Sequence, residues 1–261
     1  GSGIPLTVHM RQEGSGVVAA LEEMLTVARA LQTPLEISHL KAIGRVNWRA
    51  AVPQMLAMME SAREDGVDVA CDVYPYTAGS TQLIHVLPPE CQTGGLEQLS
   101  ERLGDAAFRA QLRERMQTGE DFENISLLAG WENIRIAALA GAEDQKYVGQ
   151  SIAALAEKEG KDPFDALFDL LAREHCAVTM IDEIACEDDL EAILRDGHSS
   201  IISDSIYPGS GLCHPRVYGT FVRAIERYVR ERGVLTLEEA VAKMTGLPAG
   251  RLGLRTKGKL I

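Results

Sequence analysis

Paired cysteines are missing from this sequence. Its five cysteines, Cys71, Cys91, Cys176, Cys186 and Cys213, form no CxxC unit and keep no regular spacing. An odd count without such a pattern argues against a disulfide framework and for reduced thiols. No apolar run approaches the roughly 18 residues of a membrane span, and no signal-peptide pattern opens the chain, so a cytoplasmic location is expected. Blocks of Lys and Arg are missing too. The 26 basic residues stand against 38 acidic ones, for a net charge of −12. That balance argues against a nucleic acid or an anionic membrane surface as partner. GxSxG, the P-loop and GxGxxG do not occur, and neither does any internal repeat or low-complexity tract.

What is present is an ordinary globular composition, with 46% hydrophobic and 25% charged residues over 261 positions. That is enough for one large α/β domain or two small ones, each with its own core. A strand-then-helix rhythm runs through the first 75 residues. Strands are expected at 6–10 (LTVHM), 35–40 (LEISHL) and 67–74, with helices at 16–31 and 48–64 between them. Val17, Leu21, Leu25 and Ala28 recur at helical spacing in the first of these. The rhythm breaks over about 88–150, which reads as an insertion with short polar helices and one candidate strand at 125–129. It resumes with a helix at 163–174, a strand at 177–181, a helix at 187–194 and a strand at 200–204. Helices at 217–232, 236–244 and 248–252 close the chain, and Thr236 and Glu239 have capping-box spacing. Alternation of this kind means a parallel sheet. About five good strands are fewer than the eight of a closed βα barrel, so the expectation is a partial barrel or an open sheet.

Three strands end in ionisable residues, His9, His39 and Asp204. Two imidazoles and a carboxylate meeting at the C-terminal face of a sheet suit a borderline metal such as zinc. On the residues alone, a metal site and three ordinary hydrogen-bonded strand ends both remain open. Lys41 lies two residues beyond His39, on the same side of an extended chain, where it either holds a substrate carboxylate or points into solvent. The segment 72–81 (DVYPYTAGST) ends a strand in tyrosines and hydroxyls, which reads as an anion-binding loop or a plain turn. Arg216, in His214-Pro215-Arg216, has the chemistry for a bidentate carboxylate contact or for a surface pair at a helix start.

The order of these pieces is the informative feature. HMRxE carries His9 and Glu13, and ISHLK carries His39 and Lys41. DVYPYTAGST, Ser203-Asp204, HPR, YGTF at 218–221, and KMT with LPA at 243–249 follow. Nearly end to end, the chain resembles the N-acyl-D-amino-acid deacylases (D-aminoacylases) of the amidohydrolase superfamily. The resemblance implies a partial (β/α) TIM-type barrel with an inserted segment at about 88–150, and Zn2+ as cofactor. It implies metal ligation by His9, His39 and Asp204, with Asp204 also acting as general base. It implies that Lys41, Tyr74, Ser80 and Arg216 bind a small-molecule N-acyl-D-amino acid.

Two features of that family have no counterpart in this sequence: the His-x-His pair of the first barrel strand, and the bridging cysteine upstream of His9. The expectation is therefore a fragment, without the N-terminal segment that carries them and without the family's C-terminal end. Its amide hydrolysis alone would be weak or absent, and exposed barrel edges would favour self-association. Two other readings are a non-catalytic fragment that binds a ligand or partner, and a cyclic-amide hydrolase of the dihydroorotase or hydantoinase type. DVYPYTAGST and HPR count against the latter.

Overall fold

A computed structural model describes residues 4–119, 121–207 and 209–259. Strands β1 (Leu6–Val8), β2 (Leu35–Ile37) and β3 (Val69–Val73) are short and rich in Val, Leu and Ile. Such runs suit strands covered on both faces. They pair in parallel, Leu6 opposite Leu35 and Leu35 opposite Val69. Helix α1 (Val17–Leu31) links the first two and α2 (Ala51–Glu64) the next two. The apolar stripe of α1, Val17, Ala20, Leu21, Leu25 and Ala28, is buried, so the 3.6-residue period of the sequence is realised in packing.

After β3 the chain leaves this sheet for more than a hundred residues. It builds a second, antiparallel sheet from β4 (Ala78–Gln82), β5 (Ile134–Ala138) and β6 (Thr179–Glu183), in the order β4-β6-β5. Helices α3 (Leu96–Arg102), α4 (Ala106–Thr118), α5 (Ile125–Ala129), α6 (Ile152–Glu159) and α7 (Pro163–Arg173) belong to this excursion. Asp162 caps α7 by accepting from the backbone of Phe164 and Asp165, with Pro163 in the first turn. A separate hydrophobic cluster, including Leu83, Ile136, Phe168 and Met180, fills the space between this sheet and its helices.

The chain then returns through α8 (Glu187–Arg195) to β7 (Ser199–Ile201), which pairs in parallel with β3. The four-stranded order is β1-β2-β3-β7. Helix α9 (Arg216–Arg223) runs on into a wide π-type stretch over Ala224–Glu231, followed by α10 (Leu237–Met244) and α11 (Gly246–Arg251). Thr236 and Glu239 form the capping box that their spacing predicts.

Two sequence expectations are corrected. Residues 125–129 form a helix, α5, because Asn124 starts a turn there and Gly130 ends it. The strand expected at 177–181 lies at Thr179–Glu183, and it is the centre of the antiparallel sheet and not the next barrel strand. Its partner β4 precedes the stretch at 88–150 and its partner β5 lies within it, so the sheet that interrupts the barrel rhythm reaches from residue 78 to residue 183. Among the described residues no helix is long and apolar enough to cross a membrane.

Candidate metal and substrate site

Every strand of the parallel sheet delivers a polar side chain at its C-terminal end. His9 follows β1, His39 lies two residues past β2, Tyr74 follows β3, and Asp204 lies three past β7. Parallel pairing in register puts these ends on one side of the sheet. They open into a cavity of about 590 Å³, which is also lined by Lys41, Ser80 and Arg216. His39 and Asp204 both take positive φ, 39° and 46°, which turns their side chains out of the strand direction.

His9 Nδ1 and His39 Nε2 face each other at 2.9 Å. On the other side of the His39 ring, Nδ1 lies 3.0 Å from Glu13 Oε1. With the Nδ1 proton given to Glu13, His39 keeps its Nε2 lone pair directed at His9. Tetrahedral zinc at Zn–N of about 2.0–2.1 Å holds its ligand nitrogens roughly 3.3 Å apart, close to the spacing found here. The donor set therefore fits a zinc ion. Among the described residues, His9, Glu13 and His39 are the group whose donor atoms lie within 4.8 Å of one another. Asp204 is outside that group, and its Oδ2 is 2.9 Å from Arg216 Nη1.

Glu13 is buried, and its Oε1 also accepts from Lys41 Nζ at 2.7 Å. Burial alone would raise the Glu13 pKa, but the Lys41 ammonium and the His39 contact overcome it and hold the carboxyl down to about 2. Burial would likewise lower Lys41, yet Glu13 beside it pushes the ammonium up to about 12. His9 is lowered, first by desolvation of its inner face and further by the His39 and Lys41 charges, against the opposite pull of Glu13 and Asp204. An imidazole that stays neutral is the form that can ligate a metal.

Tyr74 has both cations against its ring. Arg216 stacks over its ring at 4.6 Å, and Lys41 Nζ lies 5.9 Å from the centroid. Arg216 is 2% exposed and is far from the surface helix-start arginine that its position allowed. Its Nη1 meets Asp204 and its Nη2 donates to the Ser80 carbonyl at 3.1 Å, while Nε has no partner. The Ser80 hydroxyl donates to the Met180 carbonyl at 2.9 Å across the β4–β6 pairing. His214 accepts the Arg216 backbone N–H at Nδ1 and meets the Ala78 carbonyl at 3.1 Å through Nε2, fixing the start of α9. Burial, with the Arg216 charge, lowers its pKa to about 4.

Sequence reasoning assigned no role to three residues here. Glu13 was visible as the acid of HMRxE, four residues after His9. Asp72 was visible as the first residue of DVYPYTAGST, and its Oδ1 accepts the His39 backbone N–H. Asp182 carried no signal, because its place at the cavity depends on the second sheet.

The fold and this cavity define an α/β chain whose parallel sheet matches part of the barrel in D-aminoacylase amidohydrolase structures. The chain is a homologue of the D-aminoacylase family that spans about 42% of the length of the curated relatives it matches. It is 33% identical over 254 residues, 97% of its length, to an N-acyl-D-glutamate deacylase of Alcaligenes xylosoxydans xylosoxydans. It is 33% identical over 255 residues, again 97% of its length, to a D-aminoacylase of the same organism. It superposes on the crystal structure of N-acyl-D-glutamate deacylase from Bordetella bronchiseptica with a TM-score of 0.72 at 31% identity, covering 97% of this chain and 43% of that one. That enzyme was solved with zinc and a phosphonate inhibitor that mimics the tetrahedral intermediate. No family model matches the chain.

Proposed function

We propose that this chain carries the ligand-binding half of a zinc-dependent N-acyl-D-amino-acid deacylase site, which hydrolyses the amide to a carboxylate and a D-amino acid. The observation that carries the proposal is the convergence of His9, His39, Lys41, Tyr74, Ser80, Asp204 and Arg216 on one cavity. The similarity to deacylases at about a third identity supports it.

His9 and His39 hold the metal, and Glu13 keeps the His39 ring in the required tautomer. Zinc, when bound, supplies Lewis-acid polarisation of the amide carbonyl and acidifies water. Lys41 and the free Nε–H of Arg216 orient the α-carboxylate of the substrate, with the Tyr74 ring as a wall beside both. Asp204 Oδ2 is tied to Arg216, which leaves Oδ1 to take the proton of the attacking water and return it to the leaving amine nitrogen.

Metal content of the purified chain tests this reading. About one zinc per chain that is lost in His39→Ala is the expected result. Absence of zinc from both proteins after incubation with the metal would sink it.

A further inference from the structure

Asp182 is the one carboxylate of this cavity that the mechanism does not use and that has an orphaned atom. It sits in β6 opposite Gly79 of β4, it is 2% exposed, and its Oδ1 has no hydrogen-bond partner. Gly79 makes room for it, since a methyl there would stand 3.0 Å from Oδ1 and 2.7 Å from Ile184 Cδ1. Buried polar atoms are almost always satisfied, so an unpaired carboxylate oxygen in a cavity wall marks a position for a donor.

The electrostatic surroundings say which part of a ligand supplies that donor. The charges acting on Asp182 are those of Lys41, Glu123 and Arg216, whereas His9 responds to Glu13, His39, Lys41 and Asp204. Asp182 pairs with Gly79, whose neighbour Ser80 accepts from Arg216 Nη2 through its carbonyl, so Asp182 lies on the Arg216 side of the cavity. Both cations there are already matched within the chain, Lys41 by Glu13 and Arg216 by Asp204. Among the described residues Asp182 is left as a buried carboxyl group without an ion pair, beside a half-buried Glu123 whose Oε2 accepts the Glu13 backbone N–H. A ligand that brings one carboxylate uses the unpaired Nε–H of Arg216, and a second carboxylate meets uncompensated like charge.

We propose that Asp182 is a specificity-determining residue, which makes the cavity favour N-acyl-D-amino acids whose side chain carries a positive charge or a hydrogen-bond donor over those with a carboxylate side chain. The assignment rests on reading the cavity as an N-acyl-D-amino-acid site. It runs against the acidic substrates in the names of the relatives. Burial pushes the Asp182 carboxyl up to about 7, against the pull of Lys41 and Arg216, so a rise to pH 8 favours its ionised, accepting form.

Titration calorimetry at pH 8 on the zinc-loaded chain tests it, with N-acetyl-D-lysine, N-acetyl-D-leucine and N-acetyl-D-glutamate as probes. Wild type is expected to bind the lysine derivative at least about tenfold more tightly than the glutamate derivative, the scale of one charged hydrogen bond in a buried site. Asp182→Asn should narrow that ratio to about threefold or less. Circular dichroism checks its folding, and Asp182→Ser carries the same comparison if the asparagine variant unfolds. Equal binding of the lysine and glutamate derivatives, a preference for glutamate, or a ratio that survives both substitutions overturns the role of Asp182 alone. Failure of wild type to bind any of the three probes overturns the proposed function along with it.

Discussion

Glu13 Oε1 lies 3.0 Å from His39 Nδ1, on the opposite side of the imidazole from the nitrogen that faces His9. A metal on the His9 side of the ring is therefore out of reach of a carboxylate that contacts the far side. Glu13 reads as the residue that orients a ligand, although its donor atom lies close to those of both histidines.

The first prediction concerns that orientation. Glu13→Gln removes the negative charge and keeps the shape. Zinc affinity, read by competition with a chromogenic chelator, should fall by about 10- to 100-fold, the usual effect of losing such an outer partner. An unchanged affinity would show that the His39 ring is held by other contacts.

Arg216 ties together three parts of the site: Asp204, the Ser80 carbonyl and the Tyr74 ring. Arg216→Ala should destabilise the fold by about 3–5 kcal/mol in urea unfolding, because it leaves Asp204 uncompensated and opens a void under Tyr74. Arg216→Lys should recover only part of this, since an ammonium cannot stack or serve two acceptors in a plane.

Asp182 sets a pH dependence whose sign is opposite to that of a salt-bridged acid. Its folded pKa, about 7, is above the ordinary 3.8. Between those values the folded chain binds more protons than the unfolded one, so this group lowers stability as pH rises from about 4 to 7. Asp182→Asn removes that loss. Its stability advantage over wild type should be absent near pH 4 and grow to roughly 4 kcal/mol at pH 8, or roughly 8–16 °C in Tm. A difference that is flat with pH in thermal unfolding would refute the raised pKa.

Among the described residues, strands β1 and β7 each have a neighbour on one side only in the parallel sheet, and Tyr218, Phe221 and Val222 of α9 lie exposed. Open sheet edges and exposed apolar side chains favour association. Light scattering should show dimers or larger species that increase with concentration. A monomer at every concentration would rule this out.

The sequence by itself determined the local elements and the order of the candidate site residues. The stripe of α1, the capping box at Thr236 and the strand ends at His9, His39 and Asp204 all follow from period, cap chemistry and burial of short apolar runs. These signals are local, because a hydrophobic period and a cap depend on neighbours within about two turns. The tertiary structure alone decided which strands share a sheet. The apolar run near 179 reads the same as a barrel strand, and only its pairing with β4 and β5 turned it into the wall that brings Asp182 to the cavity. The same holds for Arg216. Nothing in HPR tells a surface arginine from one that is buried, stacked on Tyr74 and paired with Asp204, because the partners come from 12 to 142 residues away and meet it only once β3 and β7 pair.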